Sequence, residues 1–234
     1  MKTQSRLVVT ACAALLVLGA GASGSADTQN PTEEAKRIQK SIDSLQKLTA
    51  APDDGIPKHL LQRAEAIIVI PDLLKGGFVV GGSHGKGVLS VRNGSEWSAP
   101  AFVKMTGGSV GWQIGVESVD LVLLVMNKQG VDDLMSNKFK IGGHLSLTAG
   151  PVGRAAEAST DAKFSSQILA YSRAKGLFAG ATLEGAGMPA DDDDNADVYG
   201  GEASLRDITS GRRTPIADAA AVAAWRDAIK RIAG

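Results

Sequence analysis

Three histidines, His59, His84 and His144, and one serine in the run Gly107-Gly108-Ser109-Val110-Gly111 are the side chains whose types could do metal, acid–base or nucleophilic chemistry. The histidines lie far apart in sequence, in three different expected elements, with neither H-x-x-x-H nor H-E-x-x-H spacing, so a metal site is not indicated. Ser109 fits the G-x-S-x-G pattern of a nucleophile elbow. That elbow needs a strand before the serine and a helix after it, whereas Val110 to Val116 alternates large and small residues like a strand. Gly82-Ser83-His84-Gly85-Lys86-Gly87 invites a phosphate loop, but Val80 stands where its first glycine belongs and Gly87 where its Ser or Thr belongs. The dinucleotide fingerprint fails too, because strand-like Val88 to Arg92 follows where a helix should start. Asp191 to Asp194 with Asp197 is the sharpest charge run. Calcium loops alternate their oxygen ligands with other residues, so a contiguous run reads as a solvated loop. No catalytic residue, cofactor or metal is expected.

What remains is binding chemistry. Strand alternation puts Lys86, Val88, Ser90 and Arg92 on one face of a segment flanked by glycine-rich turns. Lys75 lies at the preceding turn and Lys104 ends the expected partner strand. Together Lys75, Lys86, Arg92 and Lys104 outline a basic rim, and glycines expose N–H groups that join cations in holding a phosphate. Solvated edge charges are the competing reading.

Composition narrows the partners. Lys plus Arg equals Asp plus Glu at 25 each, so no global field attracts nucleic acid or an anionic membrane, and an anion site must be local. Aromatic residues are only 4%, which disfavours a base-stacking platform. With 44% hydrophobic residues in 234, the chain can bury one substantial, mainly aliphatic core.

The elements that would position the basic rim are organised around Ala66 to Arg92. Ile67 to Ile70 is a β-branched run broken by Pro71-Asp72; Phe78 to Val80 restarts it, and Gly81-Gly82 interrupts it again. Asn93-Gly94 is a strong hairpin signal joining Gly87–Arg92 to Trp97–Met105, with Pro100 favouring an edge. The unalternating run Leu121 to Met126 reads as a central strand covered on both faces. Leu145–Leu147, Ile168–Arg173 and Leu177–Glu184 add further strands. Before the sheet, Ala35, Ile38, Ile42, Leu45 and Leu48 recur at helical spacing after Thr32-Glu33-Glu34. This amphipathic helix either packs on the core or lies on a membrane; the lack of Trp and Phe in its stripe favours the core. A short helix over Ile56 to Ala66, another around Val131 to Met135, and a C-terminal one opened by Thr214-Pro215 complete the count. The expected fold is a single α+β domain: a glycine-rich, curved antiparallel sheet or barrel-like core of about eight strands, with flanking N- and C-terminal helices.

The motifs GFVVGGSHGKGVLSVR (77–92), WSAPAFVKMTGGSVGWQIGVESVDLVLLVMNKQGVDDLM (97–135) and YSRAKGLFAGATLEG (171–185) occur in the order seen in the SYLF family, which this sequence resembles from about Thr32 to Gly185. The resemblance implies phospholipid or phosphoinositide binding, actin binding as in some fungal members, and no established catalysis. The chain begins with Lys2 and Arg6, an apolar run Leu7 to Leu18, and small residues through Ala26, the pattern of a signal peptide over 1–26 that leaves one domain over 27–234. Export to the periplasm or cell envelope follows, with lipid anchoring at Cys12 as the alternative, since Val9-Thr10-Ala11-Cys12 is lipobox-like. Cleavage after Ala26 would leave no cysteine, hence no disulfide or thiol chemistry. The resulting expectation is a non-catalytic protein that binds anionic phospholipid. A structural or protein-interaction envelope protein is the alternative, and a cryptic hydrolase ranks behind both.

Overall fold

The computed structural model describes residues 30–51, 55–78, 80–110, 115–136, 141, 147–152, 168–173 and 185–234. The leader expected over 1–26 and the strand expected over 177–184 lie outside these residues. Pro31–Gly234 forms a compact unit with its own core.

Two long strands, β1 (Ala66–Phe78) and β2 (Val80–Asn93), form an antiparallel hairpin. β5 (Gly115–Val125) pairs with the other side of β1, β7 (Ile168–Arg173) with β5, and short β6 (Leu147–Ala149) runs parallel to β7. On the far side of β2 lie β3 (Glu96–Trp97) and β4 (Ala101–Val110). The sheet is open, with seven strands among the described residues and order β3-β2-β1-β5-β7-β6, β4 also pairing β2.

Pro71-Asp72 does not end the first strand, as the sequence suggests. The chain absorbs both residues in a β-bulge, with Asp72 at φ 50° and its amide donating to Asp120 Oδ1 at 3.2 Å. Gly87 on β2 faces this bulge, where any Cβ would overlap the Val69 carbonyl oxygen, so glycine is required for the close approach. Gly94, at φ 64°, makes the expected hairpin turn. Its second strand is broken, however: β3 stops at Trp97, and the chain passes through Ser98–Pro100 before β4 resumes pairing with β2.

β5 is the central strand that its apolar run implies. Leu121 to Val125 are at most 1% exposed and pair with β1 on one side and β7 on the other.

The helices are α1 (Glu33–Thr49), α2 (Lys58–Arg63), α3 (Lys128–Leu134), α4 (Asp192–Tyr199), α5 (Leu205–Thr209) and α6 (Ala219–Ala233). Thr32 caps α1 by accepting from the Ala35 amide at 3.0 Å. The α1 stripe of Ile38, Ile42, Leu45 and Leu48 is buried, so this helix packs on the core and its apolar face is not available to a membrane. The C-terminal helix starts at Ala219, not at Thr214-Pro215, and buries Val222, Trp225 and Ile229. Trp225 donates its indole N–H to Ser90 Oγ at 2.7 Å, which fixes α6 on the face of β2 that carries the even-numbered residues. The α2 segment is helical only over six residues, with Pro57 as its cap.

Candidate functional site

The acidic run sets the electrostatics of the molecule, and it is not a solvated loop. Asp191, 0% exposed, stands at the N-cap position of α4 without a side-chain capping bond, and Asp194 in the first turn is also buried, while Asp192 and Asp193 between them are exposed. Carboxylates suit a helix N-terminus, where unpaired N–H groups carry partial positive charge. Three cations from three elements converge on them. Lys86 of β2 approaches Asp191 Oδ2 at 2.7 Å and Asp194 Oδ1 at 3.2 Å, and Lys104 of β4 approaches Asp191 Oδ1 at 2.8 Å. Arg37 of α1 pairs with Asp194, lies 3.8 Å from Asp191, and stands over the Phe102 ring at 5.7 Å. The lysine contacts to Asp191 lack hydrogen-bond alignment, but at these distances and this burial Coulomb attraction dominates.

Burial alone would push the Asp191 carboxyl up. The Lys104 and Lys86 ammoniums outweigh it and hold Asp191 below the usual carboxylate range. Lys104 is correspondingly raised by its contact with Asp191, and burial pulls the Arg37 guanidinium down.

Neutral hydrogen bonds fasten the same helix to the β4 edge. The Phe102 amide donates to Asn195 Oδ1 at 2.8 Å, Asn195 Nδ2 returns a bond to the Phe102 carbonyl at 2.9 Å, and Tyr199 donates to the Pro100 carbonyl at 2.6 Å. The Asp191 amide adds a bond to the Phe102 carbonyl at 3.0 Å. An exposed strand edge is thereby satisfied by a side-chain amide and the start of a helix.

The structure divides the four basic residues singled out in the sequence. Lys86 and Lys104 are direct register partners, each roughly one-third exposed at the side chain. Lys75 is the register partner of Ser83 and Glu117, a row on the opposite face of the sheet from Lys86. Burial lowers Lys75, with the Glu117 carboxylate opposing that shift. Arg92 stands six residues from Lys86, about 20 Å along the strand. Its guanidinium donates to the carbonyls of Ala64 (2.9 Å), Leu61 (3.1 Å) and Ala233 (3.1 Å) and stacks 4.3 Å over Trp97. Arg92 therefore closes the C-terminal ends of α2 and α6, where helix dipoles favour a cation. The four do not form one continuous rim.

Two further features have no single-residue signal in the sequence. A groove of about 420 Å³ opens between β3 and α6, lined by Trp97, Val222, Ala223 and Arg226 with Glu96 and Lys230 among its charged residues. The sheet also extends past α1. Beyond Asp72, which Lys40 of α1 holds at 2.8 Å, the row Ser118–Leu74–His84–Thr106 crosses four strands and is exposed throughout. Leu74 is 50% exposed, and with Ile216 it is one of two large apolar side chains left exposed among the described residues. Ser109 sits within β4 opposite Gly81, not on a strand-to-helix turn, so the elbow context is missing.

Sheet, helix layer and ion cluster define an α+β domain with a sealed, charge-pinned edge and an uncovered sheet end. The chain belongs to the Ysc84, or SYLF, family: the family model described as "Las17-binding protein actin regulator" matches residues 106–231. The chain is 34% identical over 188 residues to Protein YSC84 of Saccharomyces cerevisiae, covering 79% of this chain and 40% of that protein. It is 30% identical over 186 residues to the human SH3 domain-containing YSC84-like protein 1, covering 78% of this chain and 54% of the relative. LAS seventeen-binding protein 3 of the same yeast is 34% identical over 191 residues, covering 80% and 41%. The chain thus spans about half or less of these relatives' length.

Proposed function

We propose that this protein is a non-catalytic binding module of a bacterial cell envelope that contacts anionic phospholipid. The observation that carries the reading is the extended resemblance of residues 32–185 to the lipid-binding SYLF domain, supported by membership of the Ysc84 family. Headgroup contact falls to Lys86 and Lys104, which stand side by side and, though each pairs with Asp191, keep about a third of the side chain exposed to a second anion, with Lys75 on the opposite face. Arg92 is left out, because its donors are committed to three helix carbonyls. Export rests on the leader pattern of residues 1–26.

Flotation of residues 27–234 with vesicles of phosphatidylcholine, with and without phosphatidylglycerol, tests the lipid reading. Co-flotation enriched by the anionic lipid is expected; no flotation with either composition overturns it. Mass spectrometry of protein from an export-competent bacterium tests the address. An N-terminus at Asp27 is expected, one at an acylated Cys12 replaces free export with anchoring, and a retained Met1 removes both.

A second reading, docking of a protein partner, is favoured by the groove between β3 and α6. Its apolar floor of Trp97, Val222 and Ala223 between charged residues has the pattern of a small interface. Loss of partner binding in an Ala223→Arg variant that still floats would assign that activity to the groove.

A further inference from the structure

One face of the β2–β4 ribbon changes character from pair to pair. The register is unbroken from Leu89↔Ala101 to Val80↔Val110, so every second pair lies on the same face. Val88–Phe102 is buried, Lys86–Lys104 is part-exposed, His84–Thr106 is exposed, and Gly82–Gly108 carries no side chain. Two consecutive polar pairs thus lie between the core and a bare strip of backbone.

The polar pairs are also drawn close together. The Lys104 and Thr106 amides turn outward and donate to the Pro189 and Gly187 carbonyls at 2.9 and 3.0 Å, away from β2. Lys86–Lys104 and His84–Thr106 are therefore non-hydrogen-bonded pairs, the kind whose Cα atoms stand about 4.5 Å apart and whose side chains approach most closely. Along the strands the two pairs are about 7 Å apart. Two ammoniums, an imidazole and a hydroxyl thus ring a patch of about 5 by 7 Å, a size that suits one tetrahedral oxyanion with its hydrogen bonds.

Charge favours an anion there. Arg37, Lys86 and Lys104 meet two buried carboxylates, Asp191 and Asp194, which leaves one positive charge of the cluster uncompensated. Arg37 is 14% exposed, so the excess is presented at the two lysines. Asp193 lies 3.9 Å from Lys104 but is 93% exposed, where water screens it. His84 and Thr106 have no side-chain partner among the described residues, so both donors are free for a ligand.

From this arrangement we propose that Lys86, Lys104, His84 and Thr106 form a binding site for a phosphate monoester, with His84 and Thr106 selecting it over a phosphodiester. The proposal deepens the lipid reading above and rests on it for a lipid-borne ligand. A terminal phosphate offers three free oxygens and nearly two negative charges, enough to accept from all four groups at once. A phosphodiester offers two free oxygens and one charge, which the two lysines alone can satisfy. The Gly82–Gly108 strip lets the remainder of the ligand leave the site without meeting a side chain. A phosphatidic acid headgroup and a soluble monoester such as glycerol 3-phosphate share this chemistry.

The test uses residues 27–234. Wild type and the double variant His84→Ala with Thr106→Val are floated with phosphatidylcholine vesicles containing phosphatidic acid or phosphatidylglycerol, matched for surface potential, with thermal unfolding alongside. Wild type is expected to bind the phosphatidic acid vesicles about tenfold more tightly, and the double variant to lose that preference. A second measurement needs no variant. On titration with glycerol 3-phosphate the ring signals of His84 in carbon–proton NMR spectra should move and saturate, while those of His59, exposed on α2, stay in place. A His84 ring that does not respond overturns the site. Equal flotation of wild type on the two lipids, or a preference that survives in the folded double variant, overturns the selecting role of His84 and Thr106. Wild type that floats with neither lipid while His84 responds overturns the lipid reading and leaves the site to a soluble monoester.

Discussion

The two ends of the central hairpin share strands and pairing, yet they differ in glycine content and face different surroundings. At the Ile67–Ile70 end every residue of β1 is 0% exposed, α1 and α6 cover the sheet, and each charge that enters is met by a fixed partner. At the Leu74 end the strands remain paired but emerge from beneath the helices, and the row Ser118–Leu74–His84–Thr106 there is open. The difference shows that strand pairing and burial are separable: the ladder continues for about five residues on each strand after the layer above it has stopped.

Breaking the sealed end should give the largest effect. Leu123→Asp puts an unpaired carboxylate into the strand between β1 and β7 at a cost of several kcal/mol, out of a usual domain stability of about 5–15 kcal/mol. It should yield aggregated or unfolded protein in place of a cooperative thermal transition. Asp191→Asn comes next. It leaves Arg37, Lys86 and Lys104 around a neutral amide and should lower unfolding free energy in urea by about 3–5 kcal/mol, the cost of removing one partner from a buried ion cluster.

The same cluster sets a pH dependence. Asp191 is held below its ordinary value of 3.8, so its contribution is complete above that value and is lost as pH falls through the depressed folded value. Lys104 is raised above 10.5, so its contribution is present below 10.5 and is lost only as pH rises past the elevated value. Urea midpoints of the wild type should therefore be level with respect to this pair between about pH 5 and 10 and drop outside that range, and the acid limb should shrink in Asp191→Asn.

Arg92→Lys should be milder, at about 1–3 kcal/mol. A lysine retains the charge but cannot serve three carbonyls or stack on Trp97 in the same way. The smallest stability effect is expected at the open end. Leu74→Asp, half exposed, should change unfolding free energy by no more than about 0.5 kcal/mol in urea. A large loss of stability there would show that the two ends are packed alike after all.

Much of the framework follows from local pattern. The stripe of α1, the Asn93-Gly94 turn and the central position of Leu121–Val125 are written in periodicity and β-branching, because those residues have the same use wherever the fold places them. Pro71-Asp72 misleads because a bulge, which needs partner strands on both sides, lets the chain pass two poor strand residues without ending. The basic residues mislead for a related reason. Alternation correctly gives Lys86 and Arg92 a common face, but it carries nothing about a helix more than a hundred residues later whose first turn seats on one, or about two helix ends that converge on the other.

The sequence alone therefore determined the family, the α+β composition, the buried central strand and the amphipathic helix, all of which rest on short-range spacing or on long motifs in order. Only the tertiary structure decided which charges are spent on one another, that the aspartate run opens a helix with Asp191 and Asp194 buried and Asp192, Asp193 and Asp197 exposed, and where the helix layer stops short of the exposed row at Leu74. Each of these depends on contacts between residues distant in the chain, where Coulomb pairing and desolvation act through space and leave no period in the sequence.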